Sequence, residues 1–154
     1  MTPGIKVAKK HKIDYTVHAY AHDSTSPSYG SEAAEKLGVP EDRVFKTLVV
    51  ILPDNTLAVG VVPVCSMLNM KRMAKALGAK KAAMAKPPDV ERSTGYVLGG
   101  VSPLGQKKRL KTIIDSSAIN HPTIFVSAGR RGLEIELNPQ DLQKLVGGIV
   151  ADIC

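Results

Sequence analysis

The sequence predicts an α+β protein, with a curved mixed β-sheet or partial barrel and short helices packed outside it. Short apolar, β-branched runs interleave with short helical segments along the 154 residues. They do so without the regular strand–helix–strand order of a doubly wound fold. The length is that of one domain spanning 1–154, and 44% apolar residues can supply its core.

The first elements are a helix, a strand and a second helix. Thr2 and Pro3 are typical of an N-cap and a first helical residue, which predicts a helix as far as Lys12. The alternation of side chains in 14–20 predicts a strand. After a polar loop, 31–38 predicts a helix that ends at its last residue, a glycine.

A β-hairpin and a capped helix follow. The apolar, β-branched runs 43–52 and 57–64 flank the turn residues 53–55, a pattern typical of a hairpin. Asn69 is a suitable N-cap for a helix over 70–78.

The remaining elements are predicted from proline starts, apolar runs and glycine turns. They are a short strand at 81–85, a helix at 87–95, strands at 112–117, 123–128 and 133–137, a turn at 129–132, and a closing helix that Asn138 and Pro139 begin, with Asp141 completing a capping box.

The charge balance favours a negatively charged partner. There are 21 basic and 14 acidic residues, giving a net charge of +7. Such a balance suits nucleic acid or another polyanion, although a basic enzyme without such a partner fits it as well. No apolar run approaches the ~20 residues that span a bilayer, and residues 1–14 lack the apolar core of a secretory signal. We therefore expect a cytoplasmic protein with no membrane partner.

Familiar catalytic and metal motifs are missing. The sequence contains no GxSxG, HExxH or GxxxxGK[ST] motif and no paired CxxC, and its four histidines are scattered. A metal site is not expected. Cys65 follows an apolar strand, which favours a small buried side chain over a nucleophile.

The segment GYVLGGVSPLGQKKRLK (95–111) combines a glycine-rich loop with a run of cations. Glycine loops allow close approaches and expose N–H groups that bind phosphate or carbonyl oxygens. A polyanion site is predicted, and a solvated charged surface is the alternative. The cations of this site are Lys107, Lys108, Arg109 and Lys111, together with Arg130 and Arg131 of a second glycine-containing loop.

Lys46 interrupts an apolar strand. A lysine in that position lies either in a pocket or at a strand end from which it reaches water. Tyr20 ends an alternating strand and, taken alone, favours a packing role.

Several motifs, taken in order, resemble the YbaK/EbsC family of free-standing bacterial aminoacyl-tRNA deacylases. The motifs are MTPGIKVAKK, VFKTLVV, LNMKRMAKALGAKK, RSTGYVLGGVSPLGQKKRL, IFVSAGRRGLEIEL and PQDLQKLVG, and they cover essentially the whole chain. The family is similar to the editing domain inserted in many prolyl-tRNA synthetases. The resemblance implies a barrel-like mixed sheet with a small pocket for the acceptor end of tRNA.

The resemblance also implies site residues. The family's essential lysine matches Lys46, and its GxxxP loop matches 99–103. The implied catalytic residues are Lys46, Tyr20, Gly99, Gly100 and Glu134. The implied substrate-binding residues are Tyr29, Thr47, Pro103 and Ser127. Glu134 stands where the family more often has Asp.

The implied reaction is hydrolysis of the ester in mischarged Cys-tRNA(Pro), without metal or organic cofactor, by attack of the substrate's own thiol. The implied partners are the acceptor end of aminoacyl-tRNA and prolyl-tRNA synthetase. Two alternatives remain open: a deacylase for another mischarged tRNA such as Ala-tRNA(Pro), and a non-catalytic RNA-binding module.

Overall fold

The computed structural model describes residues 1–25 and 29–154, without the side chain of Tyr29. Five α-helices and eight β-strands make up this part of the chain. The helices are α1 (Pro3–Lys10), α2 (Tyr29–Leu37), α3 (Met70–Ala76), α4 (Pro87–Thr94) and α5 (Pro139–Val146). The strands are β1 (Tyr15–Ala19), β2 (Phe45–Ile51), β3 (Leu57–Pro63), β4 (Ala83–Met84), β5 (Lys111–Asp115), β6 (Ile124–Arg130), β7 (Leu133–Leu137) and β8 (Ile149–Ala151).

The strands form two sheets. A three-stranded antiparallel sheet has the order β1–β7–β6, and a five-stranded mixed sheet has the order β4–β2–β3–β5–β8. The β2–β3 hairpin is antiparallel, whereas β5 runs parallel to both β3 and β8. An isolated bridge between Val44 and Phe125 connects the sheets. The predicted α+β class and mixed strand directions are confirmed, and no closed barrel forms in the described ranges.

The core follows from strand alternation. Val49 and Val61 face a large cluster between the two sheets, which α1 and α5 complete. Val50 and Val62 point to the opposite face of the five-stranded sheet, where Met73 of α3 covers them. Successive side chains of a strand point to opposite faces, so both faces of this sheet are buried.

Capping side chains begin three helices as predicted. The Thr2 hydroxyl accepts a hydrogen bond from the Ile5 amide at 3.3 Å. The Asn69 side chain accepts one from Arg72 N at 3.0 Å, and Asn138 accepts one from Gln140 N at 2.8 Å. Each bond satisfies an amide that has no partner inside the helix.

Four details of the prediction are wrong. Gly129 and Arg130 extend β6, with a register shift after Ser127, because a bulge accommodates the glycine that suggested a turn. Residues 116–117 begin a 3₁₀ segment instead of continuing β5. Strand β8 was not predicted, because three residues carry too short a pattern and pairing with β5 specifies it. The expected capping-box bond from Asp141 is absent within the described ranges.

None of the helices in the described ranges has the length and apolar character needed to cross a bilayer.

Candidate functional site

A cleft of about 340 Å³ opens where the two sheets meet. Six polar side chains line it, those of Arg131 and of five residues predicted for catalysis or substrate binding. Lys46 and Thr47 come from β2 of the five-stranded sheet, Ser127 and Glu134 come from β6 and β7, and Tyr20 follows β1. Five residues that the sequence predicts for one site therefore lie around one cavity, although they are up to 114 positions apart.

Apolar side chains form much of the remaining wall. Phe45 and Leu48 flank the polar pair of β2, and Leu98 and Val101 come from the glycine-rich loop. These four residues, with Gly30 of α2, were not predicted as site residues. Phe45 and Leu48 could have been identified from the sequence because they are adjacent to Lys46 and Thr47. The position of Gly30 at the cleft depends on how the fold places α2.

Two polar groups of β2 have no hydrogen-bond or ion-pair partner among the described residues. The Lys46 ammonium forms no ion pair with any residue in the described ranges. The Thr47 hydroxyl oxygen is buried and has no hydrogen-bond partner among the same residues. Buried polar atoms are rarely left unsatisfied, so both groups are available to a ligand in the cleft.

Glu134 is a buried carboxyl group in this cleft. The residue is 7% exposed, and burial raises the pKa of Glu134 from its ordinary value to about 8. Burial, followed by the nearby Glu134 charge, also raises the pKa of Tyr20. Both groups are therefore protonated at neutral pH, and each offers the cleft a hydrogen-bond donor.

The glycine-rich loop contributes one backbone group to the cleft. Gly99 lines it with a φ of +87°, a conformation that favours glycine, and its N–H has no partner among the described residues. The Gly100 N–H instead donates to the Val97 carbonyl at 2.9 Å. The amide of Gly100, which the resemblance implies as a catalytic residue, therefore already has a partner within the loop.

The loop glycines allow close approaches within the protein. A Cβ on Gly100 would lie 2.7 Å from Arg130 Cα, and one on Gly105 would lie 2.6 Å from the Pro3 carbonyl carbon. Both contacts are too short for any side chain. The space beside Gly100 and Gly105 is therefore filled by β6 and α1.

The cations after the loop lie away from the cleft. Lys108 shares a cavity with Ile51 and Leu57, at the turn end of the β2–β3 hairpin. Ile51 is five residues beyond Lys46, which is about 17 Å at ~3.3 Å per residue. Lys111 pairs with Ala58 at the same end of the sheet. These residues cannot contact a group that Lys46 holds.

The other cations and the proline have different surroundings. The Arg109 guanidinium lies against Gly147, the C-terminal cap of α5, where the helix dipole favours a cation. Lys107 is exposed, and its N–H donates to the Thr94 carbonyl. Pro103 is buried and lines a second cavity rather than the cleft.

Arg130, Arg131 and Tyr29 complete the predicted set. Arg131 lines the cleft, and Arg130 lies beside it in an adjoining groove. Tyr29 begins α2, but its side chain lies outside the described residues, so its predicted contact with substrate remains a prediction.

The described lining of the cleft contains neither cysteine nor histidine. Cys65 is exposed, so the prediction that it is buried is wrong: it lies beyond the end of β3, where the apolar pattern no longer applies. Burial and the neighbouring Asp115 raise the pKa of the Cys154 thiol to about 11. His18 and His22 pair with Glu136 and Glu32.

No cluster of three or more His, Cys, Asp or Glu residues suited to a metal ion occurs in ranges 1–25 and 29–154.

The chain matches known proteins over most of its length. The family model of the aminoacyl-tRNA editing domain matches residues 25–145. The chain is 38% identical over 152 residues to an Enterococcus faecalis protein named provisionally as the Cys-tRNA(Pro)/Cys-tRNA(Cys) deacylase EbsC. That match covers 99% of this chain and 92% of the relative.

Two further matches are more partial or more distant. A proline–tRNA ligase of Shouchella clausii is 37% identical over 76 residues, which are 49% of this chain and 13% of the ligase. A crystal structure described provisionally as a trans-editing enzyme for prolyl tRNA synthetase has a TM-score of 0.83 at 21% identity, covering 99% of this chain and 98% of that one. This last likeness shows the fold alone.

Proposed function

The chain belongs to the aminoacyl-tRNA editing domain family, and we propose that it is a free-standing, single-domain deacylase that hydrolyses the ester of mischarged Cys-tRNA(Pro). It would act in the cytoplasm, without metal or organic cofactor, on tRNA charged by prolyl-tRNA synthetase. The observation that supports this proposal most is that the unpaired Lys46 ammonium, the Gly99 amide and the protonated Glu134 carboxyl all line one cleft.

These groups fit the two places where the substrate carries or develops negative charge, its terminal phosphate and its ester carbonyl oxygen. Lys46 is a compact cation suited to hold the terminal phosphate of the acceptor end. The Gly99 N–H is suited to the ester carbonyl oxygen, which becomes negative as the carbonyl is attacked. Glu134 and Tyr20, both protonated, would orient the ribose hydroxyls or the leaving oxygen by hydrogen bonds.

The nucleophile in this proposal is the thiol of the substrate. Support comes from the cleft, whose described lining lacks a cysteine or a histidine base. The thiolate adds to the ester carbonyl carbon, and the bond from that carbon to the ribose oxygen breaks. The ribose oxygen takes a proton, and water then opens the resulting thiolactone. Holding thiol and ester together is enough, since oriented intramolecular groups reach effective molarities of about 10⁵ M.

A deacylation assay with purified charged tRNA tests the proposal. We expect release of cysteine from Cys-tRNA(Pro), and much slower release of alanine from Ala-tRNA(Pro), which lacks the thiol. Equal rates on both substrates would support the broader deacylase and exclude thiol assistance. Tight tRNA binding with no hydrolysis of either substrate would instead identify a binding module.

The partnership with prolyl-tRNA synthetase is a separate part of the proposal. It would supply tRNA selectivity, since the described site holds groups for an acceptor end only. Adding the synthetase to the assay should raise the preference for tRNA(Pro) over other cysteinylated tRNAs. An unchanged preference would remove the synthetase from the proposal.

A further inference from the structure

A groove of about 490 Å³ adjoins the cleft. It is formed by residues 95–98, Gly100, residues 129–131 and Pro3, and is called the side groove below. Leu98 and Arg131 line both the cleft and the side groove. The side groove and the cleft are therefore adjacent, and a chain that leaves the cleft past Leu98 and Arg131 reaches the side groove.

The walls of the side groove are held against each other. A Cβ on Gly100 would meet Arg130 Cα at 2.7 Å, and one on Gly129 would meet the Tyr96 ring at 2.8 Å. Arg131 Nη2 donates to the Leu98 carbonyl at 3.3 Å. The two loops are thus in direct contact, which reduces the ordering cost when a ligand binds.

The surface of the side groove combines two chemistries. Val97 is 69% exposed and Leu98 is 39% exposed, which are high values for side chains of this kind. Exposed arginines, Arg130 and Arg131, lie beside them. An apolar shelf suits the flat face of a nucleobase, and guanidinium groups suit the 5′-phosphate of the same nucleotide.

We propose that the side groove binds the ribonucleotide that immediately precedes the terminal, aminoacylated nucleotide of the substrate. This rests on the proposed function, which puts the terminal nucleotide in the cleft. Adjacency to the cleft and the positive charge of the groove favour a single RNA strand as the occupant. The shelf contacts the base, and Arg130 pairs with its phosphate.

Two small substrates test this directly. One is cysteinyl-adenosine 5′-phosphate, which already carries the phosphate assigned to Lys46, and the other is the cysteinyl ester of 5′-phospho-cytidylyl-adenosine, which adds one nucleotide with its own 5′-phosphate. The wild-type protein should cleave the dinucleotide with a kcat/KM at least about tenfold higher, the amount expected for one stacked base. In Val97→Asp and Arg130→Ala this preference should fall to near one. Both residues are exposed, and circular dichroism checks that the variants fold.

The matched control is Lys144→Ala, which removes an exposed cation from α5 outside both cavities. It should retain the full preference for the dinucleotide. A wild-type protein that shows no preference, or a Val97→Asp variant that keeps it, would overturn the proposal. So would a Val97→Asp variant that loses only its association with prolyl-tRNA synthetase, since that result assigns the shelf to a protein partner.

Binding without cleavage separates this inference from the proposed function. Calorimetry would compare uncharged 5′-phospho-cytidylyl-adenosine with adenosine 5′-phosphate. Tighter binding of the dinucleotide, lost in Val97→Asp, supports the side groove even if no ester is cleaved. Equal binding of both compounds by the wild type counts against it even if deacylation is found.

Discussion

Gly100 lies directly against the backbone of Arg130, so close that a Cβ at position 100 would be 2.7 Å from the Arg130 Cα. The contact joins the glycine-rich loop to the end of β6. Because Leu98, Gly99 and Val101 of the same loop line the cleft, this contact sets the position of one cleft wall.

Gly100→Ala should therefore disturb the site as well as the fold. Overpacking a buried contact typically costs about 1–3 kcal/mol of unfolding free energy, and the loop must shift to relieve it. We expect deacylation to fall at least tenfold, measured alongside urea unfolding. Gly78→Ala is the control: its φ of +69° makes alanine strained, but nothing lies within 4 Å. That variant should lose stability and keep its activity. Full activity in Gly100→Ala would show that the contact does not position the loop.

Lys46 is expected to act through its charge. Lys46→Ala should abolish deacylation with an unchanged circular dichroism spectrum. Lys46→Arg should largely fail too, because a planar guanidinium does not replace a compact ammonium. Lys46→Met retains the aliphatic stem without the charge and should be as inactive as alanine. An active methionine variant would mean that the side chain only fills space.

Glu134 should make stability depend on pH. Its pKa of about 8 in the folded protein exceeds the ordinary value, so the folded state binds more protons than the unfolded state between about pH 4.5 and 8. The stability due to the protonated carboxyl is complete below that range and is lost as the pH rises through it. The free energy of unfolding falls by at most about 5 kcal/mol over this range, at 1.36 kcal/mol per pKa unit.

Glu134→Gln removes this titration and keeps a hydrogen-bond donor. The variant should gain stability relative to the wild type as the pH rises from 5 to 9, as measured by urea unfolding. Its activity should also hold better than that of the wild type above pH 8, because glutamine cannot ionise. Parallel stability curves for the two proteins would refute a buried, protonated carboxyl.

The cations Lys107, Lys108 and Arg109 do not line the cleft and are expected to contact the tRNA further from its end. Replacing all three with alanine should raise KM, leave kcat nearly unchanged and reduce the slope of log affinity against log salt by about 2. Alanine at Lys75, Lys80 and Lys81 removes the same charge from another exposed region and should leave the slope unchanged. Identical slopes in both triple variants would favour a merely solvated surface.

The source of the nucleophile is tested by a paired experiment. Cys65 is exposed and does not line the cleft, so Cys65→Ser should keep most of the activity. tRNA(Pro) charged with S-methylcysteine should bind nearly as well as the cysteinyl form but be cleaved far more slowly. Normal cleavage of the methylated substrate, together with an inactive Cys65→Ser, would make the protein thiol the nucleophile.

Local sequence patterns predicted the elements of the fold that depend only on neighbouring residues. The hairpin follows from two apolar runs around a turn, and the caps at Thr2, Asn69 and Asn138 follow from residue type. Strand β8 and the extension of β6 through Gly129 depend on pairing with distant strands, which no short pattern reports. Cys65 was misassigned because burial at the end of a strand is a tertiary property.

The residues that line the cleft were easier to predict from the sequence than the protonation state of those residues. Lys46 stands out as a charge in an apolar strand, and the family resemblance located Tyr20, Thr47, Ser127 and Glu134. The raised pKa of Glu134 depends on burial by neighbours from other elements. The packing of Gly100 against Arg130 was not predictable, because a glycine has the same sequence signature whether ligand or protein fills the space beside it.

The cleft is walled by residues from two separately hydrogen-bonded sheets. Within the described ranges, the Val44–Phe125 bridge is the direct backbone pairing between them. An acceptor end bound to Lys46 on one side and Ser127 or Glu134 on the other would connect the two sheets where they meet. Binding should therefore slow amide hydrogen exchange in β2 and β7 together, because the substrate stabilises both sheets until its ester is hydrolysed.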